Sequence, residues 1–105
     1  MVDIINVWQV RELLDEDSAT IIDSRDLTSY KAGHIPKAIS LAGKSMQETL
    51  SGLDKERPVV VYCDQGNFSK GTAAYFSEQG FKEVYSMTGG FGRWVETYTD
   101  IEESR

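Results

Sequence analysis

The stretch Val59-Val60-Val61-Tyr62-Cys63-Asp64-Gln65-Gly66-Asn67-Phe68-Ser69-Lys70-Gly71-Thr72-Ala73-Ala74 decides the fold of this 105-residue chain. Its opening run is apolar and mostly β-branched, the composition of a strand buried on both faces of a parallel sheet. Its closing run of small residues, continuing through Tyr75, Phe76 and Glu78, predicts a helix over residues 69–79 that stops at Gly80. Between strand and helix a short loop holds Cys63, the one cysteine of the sequence. That position is the carboxyl end of a central strand facing the amino end of a helix, where open α/β sheets bind ligands. Loop amides can curl round an anion there, and the helix dipole favours a thiolate. Cys63 is the candidate nucleophile.

Outward from this stretch, apolar and helical segments alternate. Asp3-Ile4-Ile5 predicts a short edge strand. Asn6 with Gln9 three residues on has the form of a capping box, and Val7, Val10, Leu13 and Leu14 then repeat at helical spacing. Thr20-Ile21-Ile22 predicts a second strand, closed by Asp23-Ser24-Arg25-Asp26. A short helix through Tyr30 is expected to stop at Gly33 as a left-handed terminating glycine. His34-Ile35-Pro36-Lys37 reads as an extended bend, and Ala38-Ile39-Ser40-Leu41 as a third strand. Ser45 leads into a weak amphipathic helix with Met46, Leu50 and Leu53. Glu83-Val84-Tyr85-Ser86-Met87 predicts the last strand, and Gly89-Gly90 turns the chain into a helix with Phe91, Trp94 and Tyr98. The acidic tail, residues 99–105, is expected to fray. The whole predicts one α/β domain over residues 1–105 with its core at 3–98. A mostly parallel sheet of about five strands carries helices on both faces. Gly71, Ala73 and Ala74 are expected to let the helix after Cys63 approach the sheet closely.

Composition narrows the function. An apolar content of 40% and a charged content of 27% are those of an ordinary globular domain. No apolar run approaches the roughly 20 residues that span a bilayer, and the first residues lack the features of a signal peptide. A single cysteine excludes an internal disulfide, so the expected location is a reducing cytoplasm. A net charge of −6 argues against nucleic acid and anionic membranes as partners. No metal and no cofactor is expected.

Several chemistries use a cysteine after a strand. A cysteine phosphatase of the phosphate-loop kind needs an arginine six positions on, to clamp the transferring phosphoryl group with both guanidinium nitrogens. Ser69 stands there, and no arginine lies between Arg57 and Arg93. Cysteine-protease chemistry needs a histidine base. His34 is the only histidine and has no evident third member; its place in a Gly-His-Ile-Pro bend predicts a structural hydrogen bond instead. A persulfide carrier needs only a thiolate and donors around the outer sulfur. The amides of Asp64, Gln65, Gly66, Asn67, Phe68 and Ser69 can supply them. Asp23, Arg25 and Asp26 are expected to pin the neighbouring turn as an ion pair, with contact to the loop as the alternative. Lys70 is the nearest cation in sequence. Trp94, Phe91 and Phe76 are expected in the core.

Asp23-Ser24-Arg25, Tyr30, Gly33-His34-Ile35-Pro36-Lys37-Ala38, the six-residue loop 63–68, and Gly89-Gly90-Phe91 with Trp94 together resemble a rhodanese domain. The resemblance covers residues 3–98. Within the family, Gly66-Asn67 and Ser69-Lys70-Gly71 are similar to the single-domain bacterial thiosulfate sulfurtransferases associated with glycerol-3-phosphate metabolism. The resemblance implies a cycle in which Cys63 takes a sulfane sulfur from thiosulfate, releases sulfite, and passes the sulfur to cyanide or another thiophilic acceptor. It also implies that a six-residue loop belongs to sulfur transfer, the related phosphatases having one residue more. Its partners would be a small anionic donor and a thiophilic acceptor, with a thioredoxin-like or other sulfur-accepting protein as a further candidate. Two other roles stay open: a relay partner that receives persulfide from another protein, and a non-catalytic binding module. The chain departs from the family pattern at Asp64-Gln65, where many members carry basic or histidine side chains, and at Phe68, where the glycerol-associated enzymes have a small hydroxyl residue.

Overall fold

The computed structural model describes residues 2–66 and 69–103. Five strands alternate with five helices: β1 (Val2–Ile5), α1 (Val7–Asp15), β2 (Thr20–Asp23), α2 (Leu27–Ala32), β3 (Ile39–Ser40), α3 (Met46–Ser51), β4 (Val59–Tyr62), α4 (Ser69–Glu78), β5 (Val84–Met87) and α5 (Gly90–Thr97). The strands form one sheet in the order β1-β5-β4-β2-β3, and every pairing in it is parallel. The strand before Cys63 is therefore central, and β1 lies at an edge.

Alternation along the strands sorts the apolar side chains onto two faces. Ile21, Val60, Tyr62 and Met87 pack with Val7, Val10 and Leu14 of α1 and Trp94 of α5. Ile22, Val59, Val61 and Val84 pack on the other face with Leu50 of α3 and with Ala73 and Phe76 of α4. Covering both faces buries all four residues of β4, which is why its only polar side-chain group is the Tyr62 hydroxyl, itself hydrogen-bonded to Asp23. The helices start where the sequence places them. Asn6 accepts the Gln9 amide, and the Gln9 side chain accepts the Asn6 amide, both at 2.9 Å. The Asp26 carboxylate caps α2 through the Ser29 amide, and the Ser45 hydroxyl caps α3 through Glu48.

Three expectations need correction. Gly33 ends α2 in extended backbone at φ 169° instead of the left-handed region. A Cβ there would lie 2.9 Å from the terminal methyl of Ile101, a half-exposed side chain with room to shift. Of Gly71, Ala73 and Ala74, only Ala73 is buried against the sheet. Gly71 has nothing within 4 Å of a built Cβ, and Ala74 is exposed. Over its described part, to residue 103, the tail is strapped down rather than frayed, and residues 104–105 lie outside the described residues. His34 and Glu102 exchange backbone hydrogen bonds at 2.9 Å in an antiparallel bridge. The Glu102 carboxylate accepts the Lys37 amide, both Asp100 carboxylate oxygens accept from Arg11 Nη1, and the Asp100 carbonyl accepts the Trp94 indole N–H. The acidic tail thus finds partners that local sequence does not reveal.

Candidate active site

Cys63 follows the last residue of β4 and is buried at 3% exposure. The amide of Gly66 donates to its Sγ at 3.0 Å, so the loop has turned back on the sulfur within three residues. Gly66 permits this turn with φ 89°, and its α-carbon faces the following crossover so closely that a Cβ would lie 2.9 Å from the Gly89 amide nitrogen. The expected amides of Asn67 and Phe68 lie outside the described residues. Gln65 is exposed, as is Asp64.

The loop is gripped from the start of α5. The Phe91 amide donates to the Cys63 carbonyl at 2.8 Å, and the Gly92 amide to the Asp64 carbonyl at 3.0 Å. Gly90, at φ 60°, lets α5 begin against this backbone. A Cβ on it would fall 2.5 Å from both the Cys63 and Asp64 carbonyl oxygens. The Gly89-Gly90 pair thus shapes the site as well as turning the chain. Its role in the site is missed by reading it only as punctuation, although two adjacent glycines before a helix are the visible signal.

From the other side, the turn after β2 supports the loop. Ser24 donates through both its amide and its hydroxyl to the Tyr62 carbonyl, at 3.0 and 2.8 Å. Asp23 is fully buried and accepts from the Arg25 amide, from Arg25 Nε and Nη2, and from the Tyr62 hydroxyl at 2.6 Å. Burial pushes the Tyr62 hydroxyl well above the usual phenol range, with the Asp23 charge and hydrogen bond adding to it, so the phenol stays a donor. For Arg25 burial works to lower the pKa, but the hydrogen bonds and charge of Asp23 outweigh it, and the net direction is upward. The pair does pin the turn, and Arg25 also reaches further. Its Nη2 donates to the Gly33 carbonyl at 2.6 Å, its guanidinium lies 4.1 Å from the Phe91 ring centroid, and Nη1 sits 3.5 Å from the Asp64 carboxylate. Arg25 therefore joins the turn after β2, the end of α2, the start of α5 and the thiol loop. Asp26 acts as a helix cap, as described above.

His34 is a structural hydrogen-bonder. Its buried ring stacks on Tyr30 at 3.8 Å, and Nδ1 lies 2.8 Å from the Tyr30 carbonyl. Lys70 is exposed and has no ion-pair partner among the described residues. Trp94 and Phe76 are fully buried in the core, whereas Phe91 is half-buried against Arg25. No group of three or more metal-ligating side chains occurs among the described residues.

The Ser69 hydroxyl lies between the thiol loop and β5, 3.5 Å from the Gly66 carbonyl. Ser69 is fully buried, and its hydroxyl shares a 2.8 Å hydrogen bond with Ser86 of β5. Ser86 reads from sequence only as a residue of the last strand. A Ser69→Arg chain is expected to lose stability, because a guanidinium would be forced between α4 and β5 without a carboxylate. It should gain no phosphatase activity. Thermal melting and aryl-phosphate hydrolysis check the two halves, and cysteine-dependent turnover by either chain would contradict the loop reading.

The Rhodanese-like domain family matches residues 7–97. The chain belongs to the rhodanese-like domain family. A rhodanese relative from Pseudoalteromonas translucida, named thiosulfate sulfurtransferase GlpE, is 40% identical over 94% of this chain and 94% of its own length. One of the same name from Pseudomonas savastanoi is 39% identical over 85% of this chain and 84% of its own. Among solved structures, the BH2092 protein of Bacillus halodurans is 28% identical, with a TM-score of 0.84 over 97% of this chain and 77% of its own. The polysulfide-sulfur transferase homodimer of Wolinella succinogenes is 27% identical, with a TM-score of 0.81 over 97% of this chain and 79% of its own. The wholly parallel five-stranded sheet is thus a rhodanese fold.

Proposed function

We propose that this chain is a rhodanese-type sulfurtransferase. It moves a sulfane sulfur from thiosulfate to cyanide or another thiophilic acceptor through a persulfide on Cys63. The observation that carries the reading is the Gly66 amide donating to the buried Cys63 sulfur from a loop that folds back over it. The likeness to relatives named thiosulfate sulfurtransferase supports it. In the first half-reaction the Cys63 thiolate attacks the outer sulfur of thiosulfate. A Cys63–sulfur bond forms, the donor's sulfur–sulfur bond breaks, and sulfite leaves with the electron pair. The loop amides then hold the negative outer sulfur of the persulfide. Cyanide attacks that sulfur and leaves as thiocyanate, and Cys63 recovers its thiolate. No helix among the described residues is long and apolar enough to cross a membrane, and the need for a reduced thiol favours a cytoplasmic setting.

Intact mass after incubation with thiosulfate tests the reading directly. A gain of one sulfur atom, lost on cyanide treatment, is the expected result. Its absence in protein whose thiol still alkylates would overturn the persulfide.

A relay role is favoured by one feature, the carboxylate directly after the nucleophile. Asp64 is 69% exposed at its side chain. At ~6 Å in water each unit-charge pair costs ~0.7 kcal/mol, so a dianionic donor meets a penalty of ~1.4 kcal/mol before any countercharge. Arg25 at 3.5 Å offsets part of this. Asp64→Asn is therefore expected to raise kcat/KM for thiosulfate about three- to fivefold at low ionic strength. The gain should shrink as salt is added. A protein-bound persulfide donor should respond little. Equal use of thiosulfate by both chains at low salt would mean that the carboxylate does not face the donor.

A further inference from the structure

A groove of about 190 Å³ lies beside the thiol loop, lined by Asn6, Val7, Trp8, Thr88, Gly89 and Arg93. It is built by the segments that follow β1 and β5, so it opens at the same carboxyl edge of the sheet as Cys63, which follows β4. Strands sit about 4.8 Å apart. The middle of the groove is thus only about 7 Å, measured across the sheet, from the strand that carries the thiol. Gly89 joins the two places, since a Cβ built on Gly66, whose own amide holds the Cys63 sulfur, would lie 2.9 Å from the Gly89 amide nitrogen.

The chemistry of this groove is unlike that of the surface around it. Trp8 leaves 57% of its surface exposed there, a large flat apolar platform. Arg93 is the one charged lining residue. Its stem crosses Gly89, where a built Cβ would be 2.6 Å from Arg93 Cβ and 3.6 Å from Nε, so the missing side chain makes room for the arginine. No carboxylate pairs with Arg93 among the described residues, whereas Arg11, Arg25 and Arg57 each have one. In a chain of net charge −6, an arginine without an acid beside an exposed indole is set for an anion that also carries apolar carbon.

We propose that this groove is the subsite of the sulfur acceptor, and that it takes a small organic thiol bearing a carboxylate. The proposal rests on the sulfurtransferase reading of Cys63. An inorganic donor has no apolar part for Trp8, so the groove suits the second half-reaction. Its volume is below the roughly 300 Å³ at which sites for drug-sized ligands begin, which selects a short-chain acceptor. The carboxylate sits on Arg93, the carbon chain lies along Trp8, and the thiol reaches over Gly89 to the persulfide. There the acceptor thiolate attacks the outer sulfur. A bond forms between the acceptor sulfur and the outer sulfur, the Cys63–sulfur bond breaks, and its electron pair returns to Cys63 as thiolate. The product is the acceptor's persulfide; the proton of the thiol is lost to solvent before attack, and no net oxidation occurs.

The test uses 4-mercaptobutanoate, its methyl ester and cyanide as acceptors for thiosulfate-loaded protein, with persulfide discharge followed by intact mass. Arg93→Gln is expected to raise the apparent KM for the acid about five- to tenfold while leaving the ester and cyanide unchanged, and Arg93→Lys to restore most of the loss. Trp8→Ala should raise KM for acid and ester alike and leave cyanide unaffected. Equal effects of Arg93→Gln on acid and ester, or none on either, would overturn the proposal. Binding is read separately by titrating 4-(methylthio)butanoate, which cannot accept sulfur, into Cys63→Ser protein. Indole fluorescence should change saturably, and Trp8→Phe should remove the change. Failure of Cys63 to load sulfur would sink the sulfurtransferase reading, while the thioether titration still decides whether the groove binds. An unsaturable titration would sink the groove.

Discussion

Cys63→Ser protein should transfer no sulfur above the uncatalysed rate while melting within a few degrees of the parent chain. The serine hydroxyl is nearly isosteric with the thiol, so the Gly66 amide keeps an acceptor. The carbonyl of residue 63 keeps its bond from Phe91. An alkoxide is not available at neutral pH, and an oxygen nucleophile forms no persulfide. The expected fall in kcat/KM is therefore complete at the sensitivity of a thiocyanate assay, on the order of a thousandfold or more. Intact mass should show no sulfur gained. Residual turnover in well-folded serine protein would move the chemistry to another group and remove the basis for the persulfide.

The largest expected loss of stability comes from Asp23→Ala. Asp23 is the acceptor at the centre of a buried cluster: it takes three hydrogen bonds from the Arg25 side chain, one from the Arg25 amide, and the Tyr62 hydroxyl. Removing it leaves a guanidinium with 5% side-chain exposure facing two aromatic rings, with Asp64 at 3.5 Å as its remaining carboxylate. Breaking one side of a buried ion pair costs about 3–5 kcal/mol. For a domain of this size that lowers the melting temperature by roughly 12 °C or more. Asp23→Asn, which keeps the shape and one acceptor, should lose less. A melting point unchanged in the alanine chain would mean that Arg25 finds solvent easily, and the turn after β2 would not be the support described.

The sheet was legible because its signals are local and repeated. Four β-branched or aromatic residues in a row at β4, helical spacing in Val7, Val10 and Leu14, and the Asn6–Gln9 capping box each name an element within a few residues. Cys63 was legible as a candidate for the same reason, since it falls where such a strand gives way to such a helix. What sequence did not disclose is tertiary. Arg25 looked like one half of a local ion pair, yet it also spans to Gly33, Phe91 and Asp64. Nothing within a few residues of Arg25 encodes those partners. Gly33 invites a left-handed reading because glycine usually ends helices that way; instead its backbone is extended, and its nearest neighbour is the end of the half-exposed Ile101 side chain, 68 positions away. Ser69 was informative for what it is not, an arginine, while its bond to Ser86 depended on strand neighbours that only the topology supplies.

The position of β1 has a consequence for how the chain is made. Its pairing runs from Val2 against Val84 to Ile5 against Met87, so the earliest of these five strands closes onto the latest. Such a contact requires closing nearly the whole chain as a loop, which places it late in folding. The amides that grip the Cys63 loop come from Phe91 and Gly92, later still in synthesis. On the ribosome, the thiol therefore emerges well before the residues that shape its surroundings. For that interval Cys63 is an ordinary cysteine on an unfinished sheet, open to any oxidant it meets.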